Sequence, residues 1–118
     1  MTLAEHDARD SHDAVYHALF LTGLPGRLPT AEVVARHAAH LAELDGAGKL
    51  VLAGPFLGRF AGLLVLRTAS AGEAIRIAEE DPMIRGGFQS YEVVSWAQAT
   101  ARNNYQPDIT TRSQGSSR

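Results

Sequence analysis

The order in which the hydrophobic period changes is what most restricts the fold of this chain. "VYHALFLT", residues 15–22, is rich in aromatic and branched residues and reads as a strand. The loop "GLPGRLP" follows, with two prolines and two glycines. Thr30 is placed to cap a helix running to about Asp45, in which Val34, His37, Ala38, Leu41 and Leu44 form one apolar stripe. Gly46 and Gly48 end it. "LVLA" (50–53) and "GLLVLRT" (62–68) then read as two short strands. Ser70 and Glu73 have the spacing of a capping box for a second helix, which runs to about Asp81. Pro82 disfavours helical geometry at the residue before it. "FQSYEVVSW", residues 88–96, alternates as a fourth strand.

The sequence of elements is therefore β-α-β-β-α-β. Its favoured solution is an α+β, ferredoxin-like domain, a four-stranded antiparallel sheet with both helices on one face. Such a sheet has one face without helices. "LVL" and "LLVL" are nevertheless apolar at consecutive positions, where a half-solvated sheet alternates. The helix-free face therefore needs cover, and a homodimer packed sheet against sheet, as a shared barrel, is the expected partner arrangement. The tails folding back over that face is the alternative.

The domain is expected over residues 14–100, between flexible tails at 1–13 and 101–118. "MTLAEHDARDSHD" has no sustained period, and "NNYQPDITTRSQGSSR" is mostly polar, so neither buries enough apolar surface to offset its ordering entropy. The 118 residues suffice for one small domain. Net charge is −2 with the signs interspersed, which argues against a nucleic-acid binder. No run approaches the roughly twenty apolar residues of a membrane span, and the first residues lack a signal-peptide pattern. Cysteine is absent, which excludes disulfides, thiolate nucleophiles and thiolate metal sites, and a cytoplasmic location is expected.

Two polar residues interrupt the apolar stripes. His37 lies in line with Val34 and Leu41 on the first helix. Asp81 lies in line with Ala74, Ile77 and Ala78 on the second. Helices sharing one sheet face bring the two stripes together, so this imidazole and carboxylate can meet. Such a pair fixes the ring tautomer and can move a proton on a substrate. Two plainer readings stand beside that one. Asp81 before Pro82 is also a good start for a short turn "PMIR", and His37 can be a satisfied core histidine. His40 flanks the stripe, at the helix edge or the mouth of a pocket. "HAAH" is not read as a metal site, because zinc takes three or four ligands and Glu43 lies on a helix edge.

Residues from about 15 to 97 resemble the YCII-related family of small dimeric α+β-barrel proteins. The resemblance rests on His37, Leu41, Leu44 and "GKL" leading into "LAGP" (52–55), on the later "GLLVL", and on "EEDPMIRGG" followed by "YEVVSW". It implies a ferredoxin-like protomer dimerised through its sheets and a His–Asp site carried by His37 and Asp81. The H-x-x-H spacing, with Phe56 and Leu57 after "GP", is similar to one branch of the family and implies His40 as a second site residue. The "LGRFAG" loop is short for the family, and the tail beyond Trp96 is long. The resemblance also implies a lyase or isomerase acting on a small oxygenated ring.

The combined expectation is a cofactor-independent enzyme of lyase, isomerase or dehydratase type. His37 is the general base, and Asp81 orients it. His40, Gly54, Pro55, Phe56 and Arg85 contact the substrate, and Arg36 and Arg59 are further candidates for holding an anion. The competing expectation is a ligand-binding or accessory module without chemistry on the same fold.

Overall fold

The structure, a computed structural model, describes residues 15–109. The proposed N-terminal tail and residues 110–118 of the C-terminal one lie outside the described residues. The elements follow the expected order: β1 (Val15–Gly23), α1 (Ala31–Gly46), β2 (Leu50–Pro55), β3 (Ala61–Leu66), α2 (Ala71–Glu80), the short α3 (Pro82–Arg85) and β4 (Gln89–Ala97). The strands form one antiparallel sheet in the order β2-β3-β1-β4. This is the ferredoxin-like α+β arrangement.

The helix ends are set by local chemistry. The Thr30 hydroxyl accepts from the Val33 N–H at 3.2 Å, and the Ser70 hydroxyl accepts from the Glu73 N–H at 3.1 Å. Glu73 returns the contact one residue earlier than in a standard capping box, accepting from the Ala69 N–H at 2.8 Å. α1 ends within one residue of the expected Asp45, and Gly48 closes it. Gly46 is still helical, and Gly48 takes the left-handed conformation at φ 76°. Its N–H reaches Asp45 O at 3.0 Å while the Lys49 N–H reaches Leu44 O at 2.9 Å, the double closure of a Schellman motif.

β2 runs two residues further than its apolar run. Gly54 pairs with Leu63, and Pro55 with Gly62. β2 is an edge strand, where a residue without an N–H costs the ladder nothing. The register shifts between Leu50 and Leu52, so Val51 is the extra residue of a bulge. Gly62 is needed where the two strands meet, since a Cβ there would come within 3.0 Å of the Gly54 carbonyl oxygen. β3 stops at Leu66, short of Thr68. The Thr68 hydroxyl instead donates to Ser70 O at 3.0 Å and accepts from Nδ1 of the buried His17 at 2.8 Å.

The core lies between one sheet face and the helices. Leu19 and Leu21 of β1 and Leu64 and Leu66 of β3 pack with Leu44 of α1 and Ala74, Ile77 and Ala78 of α2. On the opposite face Ala18 and Val65 are buried, while Phe20, Leu52 and Val94 are exposed. Among the described residues, His17–Val94 forms one compact unit, and residues 15–16 and 95–109 belong to a second. Within the second unit the Tyr16 and Trp96 rings lie 6.0 Å apart, and Ala101–Asn103 forms a 3₁₀ turn.

Candidate active site

The short sequence Asp81-Pro82 builds half of the site. Proline keeps the residue before it out of helical space, and Asp81 is extended at φ −72°, ψ 127°. Asp81 thus ends α2 and starts α3. Its Oδ1 accepts from the Met83 N–H at 2.9 Å, an N-cap that fixes the carboxylate. Both carboxylate oxygens also lie 2.9 Å from His37 Nδ1. The capping role and the histidine contact are therefore held by one side chain.

The geometry assigns the ring's protons. An ionised carboxylate only accepts, so Nδ1 carries the hydrogen and donates to Asp81. Nε2 is then the nitrogen that carries the lone pair in the neutral ring, and it has no hydrogen-bond partner among the described residues. Burial divides the pair. The Asp81 side chain is 1% exposed and the His37 side chain 21%. The carboxylate sits behind, and the imidazole lies in front on the wall of a cavity.

That cavity has a volume of roughly 500 Å³, within the range of about 300–1,000 Å³ typical of small-molecule sites. α1 supplies one wall through Val34, His37, Ala38 and Leu41. An apolar stripe on a helix that covers a sheet ordinarily packs into the core. In α1 only Leu44, near its end, is buried, and the earlier positions face the cavity. The opposite wall comes from β2 and β3, including Gly54, Pro55, Gly62 and Leu64, with Met83 and Gln89 at the α3–β4 end. The lining is mainly apolar, and His37, Arg59 and Gln89 are its polar side chains.

The expected site residues separate into those the fold gathers and those it does not. His37 and Asp81 touch, and Gly54 and Pro55 share the cavity with His37. Phe56 is not on the cavity wall. It lies under the Arg59 guanidinium, 5.9 Å from the ring centre, and Arg59 does line the cavity. His40 donates from Nε2 to Ile77 O at 3.1 Å and ties α1 to α2, since a carbonyl only accepts. Arg85 borders a different depression of about 440 Å³, with Arg36, Glu80 and Phe88. Gln89, outside the expected site residues, also lines the cavity. Its signal is positional: it shares the inward register of β4 with Tyr91 and Val93, and a glutamine there is out of place.

Comparison with known proteins agrees with this architecture. The model of the YCII-related domain matches residues 15–97, most of the chain. The chain belongs to the YCII-related domain family. No curated protein matches the sequence. Among solved structures, this YCII-related domain is similar to 5-chloro-2-hydroxyhydroquinone dehydrochlorinase from Burkholderia phenoliruptrix AC1100, solved in complex with 2,5-dihydroxybenzoquinone. The two are 23% identical with a TM-score of 0.55, over 75% of this chain and 99% of that one. At that identity the likeness speaks for the fold.

Proposed function

We propose that the protein is a small enzyme that moves a proton on a cyclic, oxygenated substrate, with His37 as the acid–base group and Asp81 as its positioning residue. The observation that carries this reading is the buried Asp81 carboxylate, held by its cap and receiving Nδ1–H of His37, with the lone-pair nitrogen of the same ring left for a substrate. Nε2 takes a proton from a substrate carbon or hydroxyl, and the Asp81 carboxylate stabilises the imidazolium that results. In an elimination, the electrons of the broken C–H bond form a carbon–carbon double bond as a group leaves the neighbouring carbon. The imidazolium then returns its proton to the leaving group or to another position on the ring. Elimination, isomerisation and dehydration make the same demand on the pair.

The largely apolar walls suit a ring, and Arg59 at the margin suits an oxyanion. The structurally similar dehydrochlorinase, by its name, acts on a hydroxylated, chlorinated ring, which supports this substrate class. A homodimer through the open sheet face belongs to the same reading, because Phe20, Leu52 and Val94 there are apolar and exposed. The test is a panel of hydroxylated rings, their halogenated forms and lactones, assayed with the wild type and His37→Ala. Turnover by the wild type that is lost in the variant is expected. Equal turnover by both removes the acid–base role. Binding of a ring compound with no conversion of any panel member favours a ligand-binding module instead.

A further inference from the structure

We infer that Gln89 is a substrate-binding residue that recognises a ring hydroxyl, so that the cavity selects rings carrying two oxygen functions. The inference rests on the proposed cavity substrate and adds the group that would anchor its far end.

Gln89 opens β4 and is 7% exposed. It lines the same cavity as His37. Its Oε1 is buried and has no hydrogen-bond partner among the described residues. Buried polar atoms are ordinarily paired, and an unpaired one weakens a fold. An apolar residue of similar size would fit this inward slot, beside Tyr91 and Val93, without that penalty. A polar side chain with no protein partner at a cavity wall is suited to a contact with a ligand.

The chemistry of the amide defines the ligand group. Glutamine offers an acceptor oxygen and a donor nitrogen, and a rotation of the terminal torsion exchanges them. A hydroxyl both donates and accepts, so it satisfies either orientation. The other polar side chains on the wall are His37, whose Nε2 accepts when the ring is neutral, and the Arg59 guanidinium, which donates. A ring seated on the apolar lining therefore meets an acceptor at His37 and an amide at Gln89. A ring with two oxygen substituents uses both, whereas a ring with one leaves a wall group unpaired. Sites built to hydrogen-bond a hydroxyl discriminate strongly against analogues that lack it.

The test uses equilibrium binding and needs no turnover. Hydroquinone and 4-methylphenol are titrated into the wild type, Gln89→Met and His37→Ala, followed by calorimetry or by chemical-shift changes. The wild type is expected to prefer hydroquinone, and Gln89→Met is expected to reduce that preference about tenfold, the size of one lost hydrogen bond. The melting temperature of Gln89→Met is expected to equal or exceed that of the wild type, because the unpaired atom is gone. Gln89→Asn draws the amide back by one methylene and is expected to lose the preference as well, so the result does not hang on one variant. An unchanged preference in both folded variants overturns the inference. So does a wild type that binds hydroquinone no better than 4-methylphenol, or not at all at millimolar concentration. Because binding is read directly, loss of the preference in both Gln89 variants assigns Gln89 whether or not any ring is turned over; His37→Ala, which removes the partner of the other hydroxyl, is expected to lower the preference as well, and its loss of turnover bears on the proton-transfer reading alone.

Discussion

Asp81 makes two commitments with one carboxylate: both its oxygens stand 2.9 Å from His37 Nδ1, and one of them also caps the Met83 N–H at 2.9 Å. The cap anchors the carboxylate to the backbone of α3, so the imidazole is oriented against a fixed group rather than a mobile one. Local folding and the proposed chemistry therefore depend on the same atoms.

Substitutions at Asp81 separate these roles. Asparagine caps a helix as well as aspartate does but presents a neutral amide to Nδ1. Asp81→Asn is expected to melt close to the wild type while turnover falls by about 10²–10⁴-fold, the range attributed to a positioned acid–base group. Asp81→Ala loses the cap as well and is expected to cost about 1–2 kcal/mol more in a denaturant titration. Equal activity of Asp81→Asn and wild type would separate the carboxylate from the chemistry.

A second histidine makes a prediction about stability alone. Burial pushes the His17 imidazole below its ordinary value of 6.5, and the charge of Glu73 opposes the shift in part. With the folded value depressed, the unfolded chain takes up the proton first. His17 therefore leaves stability intact above about 6.5 and lowers it as pH falls from there through the folded value. Chemical denaturation at pH 8 and pH 5.5 is expected to give a larger difference for the wild type than for His17→Gln, which keeps a partner for the Thr68 hydroxyl. Identical pH dependence in the two proteins would contradict the assignment.

The proposed dimer is tested on its own. Leu52 is 60% exposed on the open face of the sheet, on the edge strand β2. A glutamate there is harmless to an isolated domain and disruptive in an apolar interface. Sedimentation equilibrium is expected to give a dimer for the wild type and a shift toward monomer for Leu52→Glu, with little change in the far-ultraviolet spectrum. A wild type that sediments as a monomer at tens of micromolar would remove the interface.

Most of the fold was legible because its signals are local. Thr30 and Ser70 cap the helices they were expected to cap, and the period changes mark the strands. The meeting of His37 and Asp81 was legible because each is a polar residue on an apolar stripe, and both stripes belong to one layer. What was missed depends on distances that periodicity does not carry. Gly54 and Pro55 continue β2 because the strand is at an edge, a matter of sheet order. The first turns of α1 have the pattern of a core helix but line a cavity, since the same stripe serves either purpose. Arg85 is four residues from Asp81 in sequence, yet the turn of α3 carries it to another depression, while Arg59 reaches the cavity from the β2–β3 loop.

The central claim is that His37 exchanges a proton with a bound ring, and isotope exchange reads that event directly. 1,2,4-Trihydroxybenzene and related hydroxylated rings are incubated anaerobically in D₂O with the wild type or His37→Gln, and ring deuterium is followed by proton NMR. Wild-type protein is expected to accelerate deuterium entry at one ring carbon, and His37→Gln to reduce it to the rate without protein. Equal exchange with the two proteins, both folded and both binding the ring, would contradict the account.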